Sequence, residues 1–226
     1  MKKPYQRVLI TPTHPLMRFI SLGLLTFIFT LFSLELTRFG TLIAPLWFPT
    51  AIMMVAFYRH AGKVWPGIAI ACSLGSIGAS LIVNPLQALN LWYTCINIVE
   101  AVVGALLLRK LLPQYNPLKG LGDWVRLAIG SAIIPPLVGG LLILPLANGG
   151  DIVQTFLMWV LSETIAALAL VPLGLLYKPH YLLRHREPRL LIETLVTLAA
   201  TLALSAGAML YLPWPFTCII VLLMWS

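Results

Sequence analysis

The sequence predicts an all-α fold, a polytopic transmembrane helical bundle with its N-terminus in the cytoplasm. Three observations lead there. Of 226 residues, 60% are hydrophobic and only 10% charged, whereas ordinary soluble domains carry about 25% charged residues. Apolar runs recur at close to the ~20 residues a helix needs to cross ~30 Å of hydrocarbon. Lysine and arginine fall in alternate connecting segments. Helices rather than barrel strands are expected, because hydrocarbon offers no water to unpaired backbone groups and no ten-residue alternating pattern is present.

The first run, residues 19–36, follows Lys2, Lys3, Arg7 and Arg18 without a small-x-small cleavage site after it, and reads as an uncleaved signal anchor. The second, 42–58, opens on "PLWFPT" (45–50), with proline suited to a first helical turn and tryptophan to a membrane interface. The third, 64–83, contains Gly75 and Ala79 at the spacing that lets helices approach closely. The fourth, 89–108, holds Asn97 and Glu100. The fifth, 125–146, carries Pro135 and Pro136 in mid-span, where a helix must kink or break and free carbonyls. The sixth, 152–177, holds Glu163, and the seventh covers 190–211. An eighth starts near Pro215 and stops after twelve residues at Ser226, roughly 18 Å of helix and too short to cross. The expected organisation is a cytoplasmic basic N-terminus, 1–18, and a membrane domain, 19–226, of seven full spans plus a truncated eighth, incomplete at its C-terminus.

Charge fixes the expected orientation. Fourteen of the fifteen lysines and arginines lie in the N-terminus and the even-numbered loops, and Arg38 alone lies in an odd one. Short cytoplasmic loops retain positive charge, so the N-terminus and even loops are read as cytoplasmic. The net charge of +8 then implies contact with anionic lipid headgroups at that face rather than with nucleic acid. The segment "KPHYLLRHREPR" (178–189) reads as a solvated basic loop. Trp47, Trp92 and Trp214 are expected at the outer interface, Trp65 and Trp124 at the inner one, and Trp159 between helices. Cys72, Cys95 and Cys218 fall inside spans at unrelated spacing and are read as buried thiols.

The embedded carboxylates carry the functional argument. Each costs about 2.5 to 3.5 kcal/mol at a bilayer centre on insertion scales, so it faces protein or water. Glu100 and Glu163 each lie about a dozen residues into a helix entered from outside, at similar depth, which suggests one shared site. Tyr93, Asn97, Glu100 and Gly104 share one helix face, and Trp159, Ser162, Glu163 and Ala167 form a comparable stripe. The expected centre packs these two helices with that of Gly75 and Ala79. A plain alternative is that the glutamates only staple helices by hydrogen bonds. Glu35 and Arg38 read as an interfacial ion pair, and Glu193 as a partner of Arg189.

Several chemistries are absent. His14, His60, His180 and His185 all fall in cytoplasmic flanks, so no bis-histidine haem or histidine metal centre is expected in the membrane. No phosphate loop, metalloprotease motif or nucleophile motif occurs. Gly149, Gly150 and Asp151 spell a triplet found in cyclic-dinucleotide synthases, but in a short outer turn, where Asp151 is better read as a helix cap. Neither a catalytic constellation nor a cofactor is expected.

Residues 44–69, 97–113, 159–176 and 212–226 together resemble the membrane-associated sensor domain of the first MASE type, along essentially the whole chain. That resemblance implies a sensory input region of a bacterial inner-membrane protein, with PAS and GGDEF-type domains that follow in cis on the cytoplasmic side and make cyclic di-GMP. It points to Trp47 and Pro49, Asn97 and Glu100, and Trp159 and Glu163. The candidate site is therefore Asn97, Glu100, Ser162, Glu163 and Trp159, with Trp47, Pro49, Tyr93, Glu35 and Arg38 secondary. The function expected is a multispan input module for a cue of unspecified chemistry, with a small-solute transporter or channel component as the alternative, motivated by the kinked fifth span. A homodimer is left open.

Overall fold

A computed structural model describes residues 15–36, 44–83, 88–112, 118, 120–146 and 152–176. The seventh and eighth spans, the 178–189 segment, Arg38, Asp151, Glu193, Trp214 and Cys218 lie outside the described residues. The elements run α1 (Pro15–Leu36), α2 (Phe48–Arg59), a 3₁₀ turn (Gly62–Val64), α3 (Trp65–Val83), α4 (Ala88–Leu111), α5 (Leu121–Leu127), a π-helical stretch (Ala128–Ile133), α6 (Ile134–Ile143), a second 3₁₀ turn (Leu144–Leu146) and α7 (Ile152–Leu176). Every regular element among the described residues is helical.

The bundle turns apolar side chains outward and buries its polar ones within a hydrophobic core. Along α1, Leu16, Ile20, Leu24 and Ile28 recur every fourth residue and are exposed, while Thr26, Thr30 and Ser33 are fully buried. Side chains four apart lie on one helix face, so α1 turns a leucine and isoleucine stripe outward and a hydroxyl stripe inward. Water would reverse that preference; lipid does not. Thr30 meets Ser76 of α3 through their hydroxyls at 3.1 Å. The other buried polar residues, among them Thr50, Thr94, Asn97, Glu100, Ser131, Ser162 and Glu163, also face the interior.

Five stretches are long and apolar enough to cross a membrane: Leu16–Leu36, Gly62–Val83, Leu89–Leu111, Leu121–Leu146 and Ile152–Leu176. These correspond to the expected first, third, fourth, fifth and sixth spans. The second differs. Residues 42–58 were expected to form a full span, but α2 has only 12 residues, about 18 Å of helix, and residues 44–47 ahead of it are non-helical. Pro49 in the first turn is one reason: it fits there and would disrupt a helix continuing through it. Burial is the other. Pro49, Thr50, Ala51, Ile52, Met53, Met54, Ala56 and Phe57 are all buried, and a helix apolar on all sides belongs in a core. Non-helical backbone at membrane depth survives only against protein or water; here Ser162 of α7 donates to the Ala44 carbonyl at 2.6 Å and the Phe48 N–H reaches Ser33 Oγ at 3.4 Å.

α2 is thus the central post, packed between α4 and α7. α6 and the π stretch fill the remaining side between α4 and α7, while α1 and α3 pair with each other at the periphery. This corrects the expected packing of the third span. Gly75 faces the Gly23 carbonyl of α1, so close that a Cβ would collide with it, and it does not stand with the helices of Glu100 and Glu163. Small residues announce that some helix comes close but not which one. Cys95 is a second correction: it is exposed on the outer face of α4, whereas Cys72 is buried.

The fifth span is where proline disturbs the ladder. Pro136 has no N–H to give the carbonyl four residues back, at Ala132. The π-helical stretch ends just before the prolines, and Thr164 of α7 donates its hydroxyl to that carbonyl at 2.7 Å. The break is therefore sealed by the neighbouring helix, as hydrocarbon requires.

Candidate intramembrane polar site

Glu100 and Glu163 approach from opposite walls of the core. Asn97 and Glu100 sit three apart on α4 and are each 1% exposed, while Ser162 and Glu163 on α7 are each 2% exposed. The Trp159 indole N–H reaches Glu100 Oε2 at 3.3 Å, and the Thr50 hydroxyl donates to Glu163 Oε1 at 2.9 Å. Each carboxyl is thus held by a donor from another helix, and three helices converge: α4, α7 and the central α2. The two carboxyls are close enough to act on one another electrostatically.

Several neighbours shape the pocket. Tyr93 packs on the Trp159 ring with centroids 6.1 Å apart. Gly139 of α6 lies against Glu100 and the Trp159 indole nitrogen; a Cβ there would stand 2.6 Å from that nitrogen. A side chain there would displace the carboxyl, so this position favours glycine. Gly104 likewise receives Met54 of α2. Ser162 is committed to Ala44, so it holds the α2 entry rather than touching a carboxyl.

The site also leaves polar atoms without partners. Asn97 Oδ1 and Glu100 Oε1 are buried acceptors with no donor, and Trp47 Nε1 is a buried donor with no acceptor. Most buried polar groups are paired, so unmatched acceptors beside two carboxyls mark a place where a proton, a water or a donor-bearing ligand fits. No lysine or arginine lies beside the carboxyls among the described residues; the described cations sit near helix ends, where Arg126 pairs with Asp123. A cluster of three or more histidine, cysteine, aspartate or glutamate side chains able to hold a metal is absent from the described residues.

Sequence reasoning brought Asn97, Glu100, Trp159, Ser162, Glu163 and Tyr93 into one neighbourhood, and all of them line it. Pro49 is buried at the start of α2, beside Thr50, and Trp47 stands at its entry. Glu35 does not join them: it is exposed at the end of α1, and Arg38 falls outside the described residues. Thr50 and Gly139 were missed. Thr50 closes the "PLWFPT" stretch read only for its proline and tryptophan, and Gly139 lies in the fifth span, read only for its two prolines.

The chain matches the MASE1 family model over residues 16–226. It belongs to the MASE1 family. The MASE1 domain is a membrane sensor domain, which makes this chain a multi-pass protein of the bacterial inner membrane. It is 69% identical over all 226 residues to the probable diguanylate cyclase DgcE of Escherichia coli (strain K12), of which the matched part is 20%. The chain thus spans about a fifth of that relative's length. What it shares with DgcE is the membrane sensor region, and no catalytic domain falls within these residues. No solved structure matches the chain.

Proposed function

We propose that this MASE1 domain is a sensory input module whose polar core around Glu100 and Glu163 responds to a cue and biases two packings of α2 between α4 and α7. The observation that carries the reading is the pair of cross-helix hydrogen bonds, Trp159 to Glu100 and Thr50 to Glu163, beside the unpartnered Asn97 and Glu100 acceptors. Binding or protonation there changes which donors are needed, and therefore how far α2 sits from α7. A cue transmits only if it binds the two packings with different affinity. The likeness to DgcE supports a cytoplasmic effector in cis of the diguanylate cyclase class.

The test is a DgcE protein whose first 226 residues are replaced by this chain. Glu100→Gln and Glu163→Gln keep shape while removing charge; they are expected to change cyclic di-GMP output in cells while leaving membrane insertion intact. Unchanged output from both, together with unchanged output when an unrelated membrane anchor replaces the region, overturns the sensing role.

A second reading, a small-solute transporter, is favoured by two interruptions of helical backbone, residues 44–47 and the π stretch at Ala128–Ile133, since broken helices hold substrates in transporters. Both interruptions are closed by hydroxyls of α7, which favours a static scaffold. Specific solute flux into vesicles containing the chain alone would select this reading.

A further inference from the structure

Hydrogen bonds sort the described helices into two blocks. In the first, Thr30 of α1 meets Ser76 of α3 at 3.1 Å, and the Phe48 N–H of α2 reaches Ser33 of α1 at 3.4 Å. α2 and α4 cap each other where both end. Arg109 of α4 donates to the carbonyls of Phe57, Tyr58 and His60, and the Tyr58 hydroxyl donates to the Leu112 carbonyl at 2.7 Å. Trp65 of α3 closes the same end, with its indole N–H 3.0 Å from the Phe57 carbonyl and its ring centroid 4.7 Å from the Arg109 guanidinium. Such bonds are directional and weaken steeply when misaligned, so α1, α2, α3 and α4 hold one arrangement. The second block is the π-helical stretch, α6 and α7. There Thr164 of α7 donates to the Ala132 carbonyl at 2.7 Å, and Phe156 and Val160 of α7 fill the space beside Gly140 of α6.

The seam between the blocks is built differently. Its polar contacts at the core come from one stretch of α7, residues 159–163. Trp159 donates to Glu100 of α4 at 3.3 Å, Glu163 accepts from Thr50 of α2 at 2.9 Å, and Ser162 donates at 2.6 Å to the Ala44 carbonyl ahead of α2. Along the rest of the seam the second block repeatedly presents glycine. Gly130 of the π stretch lies against Leu108 of α4, and Gly139 of α6 against Glu100. Gly174 of α7 lies against Val55 of α2, where a Cβ would stand 3.2 Å from that of Val55. Helices lock in register when the side-chain ridges of one fill the grooves of the other. A glycine offers no ridge, so at these three places the helices come close with no side chain of the second block to climb over.

We infer, resting on the reading of Glu100 and Glu163 as a sensory core, that the α6–α7 block slides along the α1–α4 block, with residues 159–163 of α7 as the latch that holds the present register. Sliding of packed helices turns a small local event into a displacement. Here latch and core are the same atoms. Both carboxyl hydrogen bonds cross the seam, so an event that alters either carboxyl alters the grip of one block on the other. The bonds inside each block use other groups, Thr30, Tyr58, Trp65, Arg109 and Thr164, and are left intact. α2 therefore stays with α4. α7 carries the movement from Glu163 to its end at Leu176, and Gly174 lets it pass Val55.

Disulfide trapping of the whole chain in membranes measures the slide. In a background with Cys72, Cys95 and Cys218 replaced by alanine, Val55→Cys with Gly174→Cys spans the seam. Gly23→Cys with Ala71→Cys, whose Cβ atoms would stand 3.9 Å apart, lies inside the first block. Both separations are near the ~3.5 to 4.5 Å between the Cβ atoms of a disulfide. The rate of oxidation by copper phenanthroline is compared with and without Thr50→Val or Trp159→Phe, each of which removes one donor of the latch. Either is expected to slow the seam pair about tenfold, the weight of one hydrogen bond to a carboxylate, and to leave the inner pair unchanged. An unchanged rate at the seam overturns the slide. Equal slowing of both pairs reports general loosening and overturns it too. Cyclic di-GMP output of the DgcE chimera is read separately: a slide with unchanged output removes the sensory role and leaves the slide standing, whereas changed output without a slide does the reverse.

Discussion

Two hydrogen bonds decide how Glu100 and Glu163 sit in the core, and they differ in what they can lose. Thr50 gives Glu163 a donor from the buried face of α2; Thr50→Val keeps the volume and removes the hydroxyl, leaving a buried acceptor unpaired. That substitution is expected to lower stability by about 1 to 3 kcal/mol, measured by thermal unfolding in detergent. Trp159→Phe removes the donor to Glu100 but keeps a ring against Tyr93, so a similar loss is expected with the aromatic packing intact. Outside the spans, His60 adds a pH dependence of its own. Its pKa is depressed on folding, so the stability it contributes is full above about 6.5, the unfolded value, and is lost as pH falls through the lower folded value. In pure phosphatidylcholine the wild type should therefore lose more stability between pH 7.5 and pH 5 than His60→Gln does; equal losses would count against it.

Among the helices, the proline break makes the sharpest expectation. The Ala132 carbonyl is orphaned by Pro136 and served by Thr164. Thr164→Val should destabilise the chain by about 1 to 3 kcal/mol, and less so in a Pro136→Ala background, where a new N–H can serve that carbonyl. A double-mutant cycle measures the coupling; additive effects would deny it. Gly139→Ala puts a methyl into the space of Glu100 and the Trp159 indole, and overpacking of this kind costs about 1 to 3 kcal/mol. The kink itself was legible in the sequence, because a missing N–H is a local fact. The service by Thr164 was not, since nothing in a linear chain says which hydroxyl will stand opposite. The same holds for Gly75: its spacing told of a close helix, and only the packing named α1 as that helix. The length of α2 was obscured for another reason. Hydropathy is the same for a helix that spans lipid and for a short one buried among other helices, so residues 42–58 read as a span although twelve residues form the helix.

Across the bundle, the alternation of basic segments predicts that Lys63→Cys and Lys110→Cys, in single-cysteine backgrounds, react with a membrane-impermeant thiol reagent only from the cytoplasmic side. Labelling of either from outside would invert the orientation. The membrane character, the helical class and the MASE1 resemblance were all determined by the amino-acid sequence, since each depends on composition, spacing or local chemistry along one strand of chain. Which helices meet was decided by packing. Thr50 facing Glu163 and Gly139 yielding its side-chain space to Glu100 are encounters between residues far apart in the chain, 113 positions in the first case. Lipid exerts the same pull on every apolar face, so hydrophobicity cannot choose partners there. The choice falls to shape and to the demand that each buried polar group find a mate.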